Sequence, residues 1–277
     1  MIFTKMHGLG NDFVMVNGFR ESVPENVLQV AKEVCHRRFG VGADGLIFLL
    51  PSEKDTVRMY YINSDGTEAE MCGNGIRCLA LFAKEQGVVT ENTFTVETPA
   101  GSIGISIQEE TGLVQVDMGT PILNAPEIPV VGEGPVIAQP ITLLDKEFQF
   151  TAVSMGNPHS VVFVEDVESF PLEIYGPVSE KHPFFPAKVN TEFVEVLSST
   201  RLRMRVWERG CGETMACGTG ACATAVAAIL NGLAERTMEI VLDGGTLQIT
   251  WDETTGKVLM TGPAAKVFTG EYLLKNA

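Results

Sequence analysis

The stretches EAEMCGNG (residues 68–75) and ETMACGTG (213–220) each place a glutamate four residues ahead of a Cys-Gly-x-Gly. Cys72 and Cys217 are thus the first residues to examine for chemistry. Glycines at the start of a helix let a ligand approach the backbone closely, and the N–H groups of the first turn, with the helix dipole, favour an anion there. A carboxylate suits such a cradle. A cysteine at the same point feels the same field, so its thiolate should be stabilised relative to the roughly 8.5 of a free thiol. Two such turns facing one another across a cleft would bring a thiolate and a thiol to one small carboxylate ligand from opposite sides. That arrangement suits removal of a proton from an α-carbon on one face and delivery of a proton on the other, which is racemisation or epimerisation. Donors at both helix starts would then stabilise the charge that grows on the carboxylate.

The recurrence extends beyond the cysteines. The 145-residue offset from Cys72 to Cys217 also carries Asn63 to Glu208, each nine residues before its cysteine. GNDF at 10–13 matches GNPH at 156–159, which relates Asn11 to Asn157, and Asp44 relates to Asn190 at the same offset of 146. A duplication giving two similar domains is the economical reading, each half supplying a strand end, a Cys-Gly-x-Gly turn and a helix.

The elements that must hold these turns are mostly strands. TVRMYYIN, TFTVET, GSIGISIQ, LVQVDMG, EFQFTAVSM, HSVVFVED, TEFVEVL, RLRMRVWE, TMEIVLD and TLQITWD have strand composition. Helical patterns cover 24–38, 73–86 and 218–233, the last two starting at the cysteines. The proline-rich stretch from Thr120 to Pro140 has the composition of a linker or an edge crossing, with a domain boundary near 118–120.

Composition narrows the function classes. With 277 residues, 45% hydrophobic and 20% charged, the chain can bury a full core. A formal charge of −15 without a basic run argues against nucleic acid as partner. No apolar run approaches the roughly 20 residues of a membrane span, and the first residues lack the pattern of a signal peptide, so the expected location is the cytoplasm. Cytosolic cysteines are expected to be reduced, and their spacings, with no C-x-x-C and no histidine within the cysteine clusters, argue against a metal site.

KMHGLGNDFV, NSDGTEAEMCGNGIRC, SMGNPHSVVFV and ERGCGETMACGTGACA, in that order and across essentially the whole chain, resemble the signature segments of the diaminopimelate epimerase family. The resemblance implies a cofactor-independent isomerase that interconverts LL- and meso-diaminopimelate, in the route to lysine and peptidoglycan precursors. It implies an α+β fold of two pseudo-symmetric domains, each a mixed, strongly curved sheet around a central helix, commonly in a homodimer. The domains would span 1–118, with 263–277 returning to it through AAKVFTGEYLL, and 119–262. Cys72 and Cys217 match the two catalytic thiols. Gly73, Asn74, Gly218 and Thr219 match the positions that hold the reacting carboxylate. Asn11, Asn63, Asn157, Asn190, Glu208 and Arg209 match positions that line the substrate pocket, and His159 and Glu208 match groups that tune the thiols. Arg209 could fork onto a carboxylate, and amides could accept from an ammonium. Gly45, in GADG, departs from members that carry Gln there.

Other residues earn less. Cys35, Cys78 and Cys222 read as small buried hydrophobes. Cys211 could be inert or exposed and oxidisable, and His7, His36 and His182 earn no role. The rival activities are a proline or hydroxyproline racemase of similar fold, a thiol redox protein and a non-catalytic amino-acid binding module. Position 74 separates the first of these, since such racemases resemble this chain but have His where Asn74 stands.

Overall fold

The computed structural model describes residues 1–274 and divides into two compact units, Met1–Val116 with Gly262–Ala277, and Asp117–Thr261. Residues 275–277 of the returning segment lie outside the described residues.

The first unit contains β1 (Ile2–Gly8), β2 (Asn11–Asn17), α1 (Val27–Cys35), β3 (Gly45–Leu50), β4 (Val57–Asn63), β5 (Glu68–Ala69), α2 (Gly73–Glu85), β6 (Thr93–Thr98), β7 (Gly101–Ile107) and β8 (Val114–Asp117). β1 and β2 form an antiparallel hairpin, β2 runs parallel to β3, β3 antiparallel to β4, β4 parallel to β6, and β6, β7 and β8 form an antiparallel meander. The short β5 folds back antiparallel on β4 and delivers the chain to Cys72.

The second unit contains β9 (Gln139–Leu143), β10 (Lys146–Ser154), β11 (Pro158–Phe163), α3 (Leu172–Glu180), β12 (Asn190–Ser198), β13 (Arg201–Glu208), β14 (Gly212–Glu213), α4 (Gly218–Leu230), β15 (Thr237–Leu242), β16 (Gly245–Trp251) and β17 (Val258–Gly262). Its pairings repeat those of the first unit in the same order. β10 is antiparallel to β11, β11 parallel to β12, β12 antiparallel to β13, β14 folds back on β13, β13 is parallel to β15, and β15, β16 and β17 form a meander. The two remaining strands are also counterparts. β9 pairs antiparallel with β10, and β18 (Ala265–Glu271) pairs antiparallel with β1.

Each sheet wraps one helix because that helix is apolar nearly all round. In α4, GTGACATAVAAIL carries no charge, and β10, β11, β12, β13, β15 and β16 all pack on it. Its many alanines keep the helix slender enough for a sheet to curve about it. In α2 only Leu81, Lys84 and Glu85 escape full burial, and strands β1, β2, β3 and β7 pack on that helix. No helix among the described residues is long and apolar enough to cross a membrane.

The structure narrows one reading and adds one element. The stretch from Thr120 to Pro140 is no linker: Ala125, Ile128, Val130 and Val136 are buried in the core of the second unit, and bridges join Ile122 to Ser154 and Asn124 to Pro135. Its prolines punctuate a packed crossing. The helix α3 carries no periodic signal, because Gly176 and Pro177 interrupt LEIYGPVSE. Gly176 is required there, since a Cβ would lie 2.6 Å from the Trp207 ring.

Candidate active site

Each cysteine is the N-cap of its unit's central helix. Cys72 and Cys217 have extended backbones, with φ/ψ of −144°/116° and −120°/109°, and each sulfur accepts a hydrogen bond from the backbone N–H three residues on, Gly75 or Gly220, at 3.4 Å. Sulfur thus does what a serine or aspartate oxygen does at an ordinary N-cap. Gly73, Asn74, Gly218 and Thr219 form the first turns, whose N–H groups have no acceptor within the helix.

Around Cys72, the Asn11 carboxamide turns its oxygen toward the sulfur. Asn11 Oδ1 accepts from Cys72 Sγ at 3.6 Å and from Asn74 Nδ2 at 3.1 Å. Asn11 Nδ2 donates to Asp44 Oδ2 at 2.7 Å, which fixes the amide in that sense. Asn74 is fixed in turn by Arg77, whose Nη2 donates to its Oδ1 at 2.9 Å. Asn63, the last residue of β4, donates to Thr67 Oγ1 at 3.1 Å.

Behind Asn11 stands an ion cluster of Lys5, Asp12, Arg37 and Asp44. Burial works against ionisation of Asp12, but hydrogen bonds from Arg37 and Lys5 and the Lys5 charge outweigh it and hold the carboxyl at about 2. A depressed carboxyl contributes stability that is fully present above its unfolded pKa of about 3.9 and is lost as pH falls through the folded value. Asp12→Asn is therefore expected to flatten the acid limb of a stability curve between about pH 4 and about pH 2. Urea unfolding at stepped pH checks this, and an unchanged acid limb counts against it.

Around Cys217 the arrangement differs. The thiol lies 3.5 Å from Thr219 Oγ1, to which Asn157 Nδ2 donates at 3.3 Å. Asn157 Oδ1 is 3.0 Å from His159 Nε2, and His159 Nδ1 is 2.7 Å from Glu192 Oε1. His159 and Glu192 are both fully buried. Glu208, the last residue of β13, accepts from the Thr214 hydroxyl. Asn190, first in β12, uses both ends of its amide on backbone, donating to Pro158 O at 2.8 Å and accepting from Arg209 N–H at 2.9 Å. Arg209 Nη1 donates to Ala187 O at 3.2 Å.

One electrostatic expectation is overturned. The helix start was expected to lower the Cys217 thiol, yet burial pushes it well above the ordinary thiol value, with the Glu208 carboxylate adding to the rise and Thr219 and the Gly220 N–H opposing it. Desolvation and a like charge outweigh one helix terminus. Cys35 and Cys78 behave as the buried hydrophobes expected of them, burial pushing each up to about 12. Cys222 is buried and Cys211 exposed.

Strand register also revises the match between halves. Phe13 stands opposite Gly45 in the β2–β3 pair, as His159 stands opposite Asn190 in the β11–β12 pair, so Asn190 corresponds to Gly45 and not to Asp44. A Cβ at Gly45 would lie 2.3 Å from the Tyr61 ring and 2.9 Å from Ile62 O. Tyr61 fills the space that a side chain at position 45 would need. Sequence reasoning missed Arg77 and Glu192, and it used Asp44 only as a repeat marker. A glutamate inside the apolar run TEFVEV, where the equivalent strand reads GLIFLL, was the available signal for Glu192.

Comparison with known proteins gives a consistent result. The diaminopimelate epimerase family model matches residues 3–124 and 151–267. A diaminopimelate epimerase of Acetivibrio thermocellus is 52% identical over 280 residues, covering 100% of both chains. One from Moorella thermoacetica is 53% identical over 278 residues, covering 99% of this chain and 100% of the relative. Among solved structures, a PhzF-family phenazine biosynthesis protein of Bacillus anthracis superposes with a TM-score of 0.71 at 19% identity, covering 99% of this chain and 98% of that one. A probable proline racemase of Agrobacterium radiobacter superposes with a TM-score of 0.70 at 15% identity, covering 99% and 94%. These two likenesses concern the fold alone.

Proposed function

The chain belongs to the diaminopimelate epimerase family, and from that premise we propose that it interconverts LL- and meso-diaminopimelate by a two-base mechanism on Cys72 and Cys217. The observation that carries the mechanism is the paired construction, a cysteine as N-cap of the central helix in each unit. One sulfur removes the α-proton as a thiolate, and the other delivers a proton to the opposite face as a thiol. The reacting carboxylate is held by first-turn N–H groups at Gly73, Asn74, Gly218 and Thr219, where the helix ends favour negative charge. Asn11, Asn63, Asn157, Asn190, Glu208 and Arg209 would line the substrate site, with His159 and Glu208 acting on the thiols. The elevated Cys217 thiol supports Cys217 as the group that is protonated at rest. Thiol chemistry of this kind needs no cofactor.

A cytoplasmic place in lysine and peptidoglycan precursor synthesis accords with this reading. So does a homodimer, for which the exposed apolar side chains Ile2 on β1 and Val267 and Phe268 on β18 are the support.

Proton NMR of LL-diaminopimelate in D2O with the reduced protein and no added cofactor tests the proposal. Loss of the α-hydrogen signal together with appearance of the meso isomer is the expected result. No exchange, with the thiols shown to be reduced, would reject the substrate and turn attention to proline and hydroxyproline.

A further inference from the structure

Glu192 has no place in the mechanism above, yet it is fully buried beneath the start of α4. Its Oε1 and the Cys217 sulfur lie 2.7 and 3.2 Å from the point where a Gly220 Cβ would sit. Its other oxygen, Oε2, is buried with no hydrogen-bond partner. In the first unit the equivalent point, beside Gly75, lies 2.8 Å from Ile47, and the position of His159 is taken by Phe13. The duplicated scaffold therefore accepts an apolar pair here. The second unit carries Glu192 and His159 instead.

Hydrogen-bond direction explains what the polar pair can do. A buried carboxylate whose second oxygen has no partner is costly, whereas a protonated carboxyl can donate from Oε1 to His159 Nδ1 and leave the pair neutral. Burial does push the Glu192 carboxyl up, against the pull of His159. With Nδ1 accepting, the ring proton must sit on Nε2 and donate to Asn157 Oδ1, 3.0 Å away. The Asn157 amide then has its nitrogen toward Thr219 Oγ1, and the hydroxyl hydrogen of Thr219 is left for the Cys217 sulfur. Asn11 in the first unit is pinned the other way by Asp44 and offers Cys72 an acceptor.

We propose that Glu192 is a positioning residue of the Cys217 half-site, holding His159, Asn157 and Thr219 in the one hydrogen-bond sense that presents a donor to the Cys217 sulfur. The donor opposes burial and Glu208 whenever Cys217 must carry the negative charge. The two thiols of a duplicated fold are thereby made chemically unlike. The catalytic part of this inference rests on the two-thiol reading above. The hydrogen-bond sense does not.

Two measurements test it separately. In protein labelled with 15N-histidine, His159 should show its ring hydrogen on Nε2 in the wild type and in Glu192→Gln, whose amide can also donate to Nδ1. A neutral ring with the hydrogen on Nδ1 would overturn the proposal, whether or not the protein epimerises anything. In the exchange assay, Glu192→Gln should keep kcat within a few-fold of wild type, and Glu192→Ile, which copies the first unit, should lower it about tenfold to a hundredfold. A glutamine variant as slow as the isoleucine one, or an isoleucine variant at the wild-type rate, would also overturn it. If Glu192→Ile does not fold, the histidine spectra and Glu192→Gln still decide.

Discussion

Cys217→Ala and Cys72→Ala are each expected to lower the rate of diaminopimelate inversion by about a thousandfold or more, because on the proposed two-thiol mechanism each removes the acid/base group that serves one face of the α-carbon. Both variants should fold. Loss of an N-cap to alanine costs about 1 kcal/mol, and each helix remains buried on nearly every side. Circular dichroism and urea midpoints should therefore stay near wild type while inversion collapses. Inversion within tenfold of wild type in either variant would remove the two-thiol mechanism. The pH profile of the intact protein should be bell-shaped, with apparent values that belong to the coupled pair. Burial and the Glu208 carboxylate push the Cys217 thiol up and so favour its protonated form. In the direction that uses Cys217 as the acid, the alkaline limb should accordingly lie above the range of an ordinary thiol.

The second large effect concerns stability. Arg77 is fully buried in α2, with Nη1 donating to Gly73 O at 3.0 Å, Nη2 to Asn74 Oδ1 at 2.9 Å and Nε to Pro263 O at 3.2 Å. Arg77→Leu fills much of the same volume but strands those acceptors, and it should cost about 3–5 kcal/mol of unfolding free energy. Arg77→Lys should recover only part of that loss, since a single ammonium cannot reproduce the fork. Denaturant unfolding measures it directly. A loss under about 1 kcal/mol would show that these hydrogen bonds are not needed. The leucine variant should also weaken the Cys72 half-site, because Arg77 orients Asn74 and Asn74 donates to Asn11.

Much of this was legible in the sequence because the candidate site lies where strands end and helices begin, and such points carry glycine and asparagine signatures. Cys72, Cys217, Asn11, Asn74, Asn157 and Thr219 all lie in such segments, and the strand runs between them follow simple composition rules. The unread features have physical reasons. Arg77 corresponds to Cys222 in the second unit, so comparison of the halves could not mark it. Glu192 lies in a strand buried on both faces, where local pattern does not say what a charge is doing. The proline-rich crossing and α3 were hidden by residues that signal loops but here serve close packing. The relation of Asn190 to Gly45 instead of Asp44 needed strand register, which spacing alone does not supply.

The pairing of β18 with β1 bears on how the chain comes off the ribosome. Every strand and helix of the second unit lies within one unbroken stretch, so that unit has all its partners once β17 has emerged. The first unit does not, since Ile2–Gly8 waits for Ala265–Glu271 across the whole of its twin. Translation order and completion order are therefore reversed, and the half made first spends the synthesis of the other with β1 lacking one neighbour. A nascent strand of that kind is open to pairing with other chains, which makes the closing strand a safeguard of yield in the cell as well as of shape.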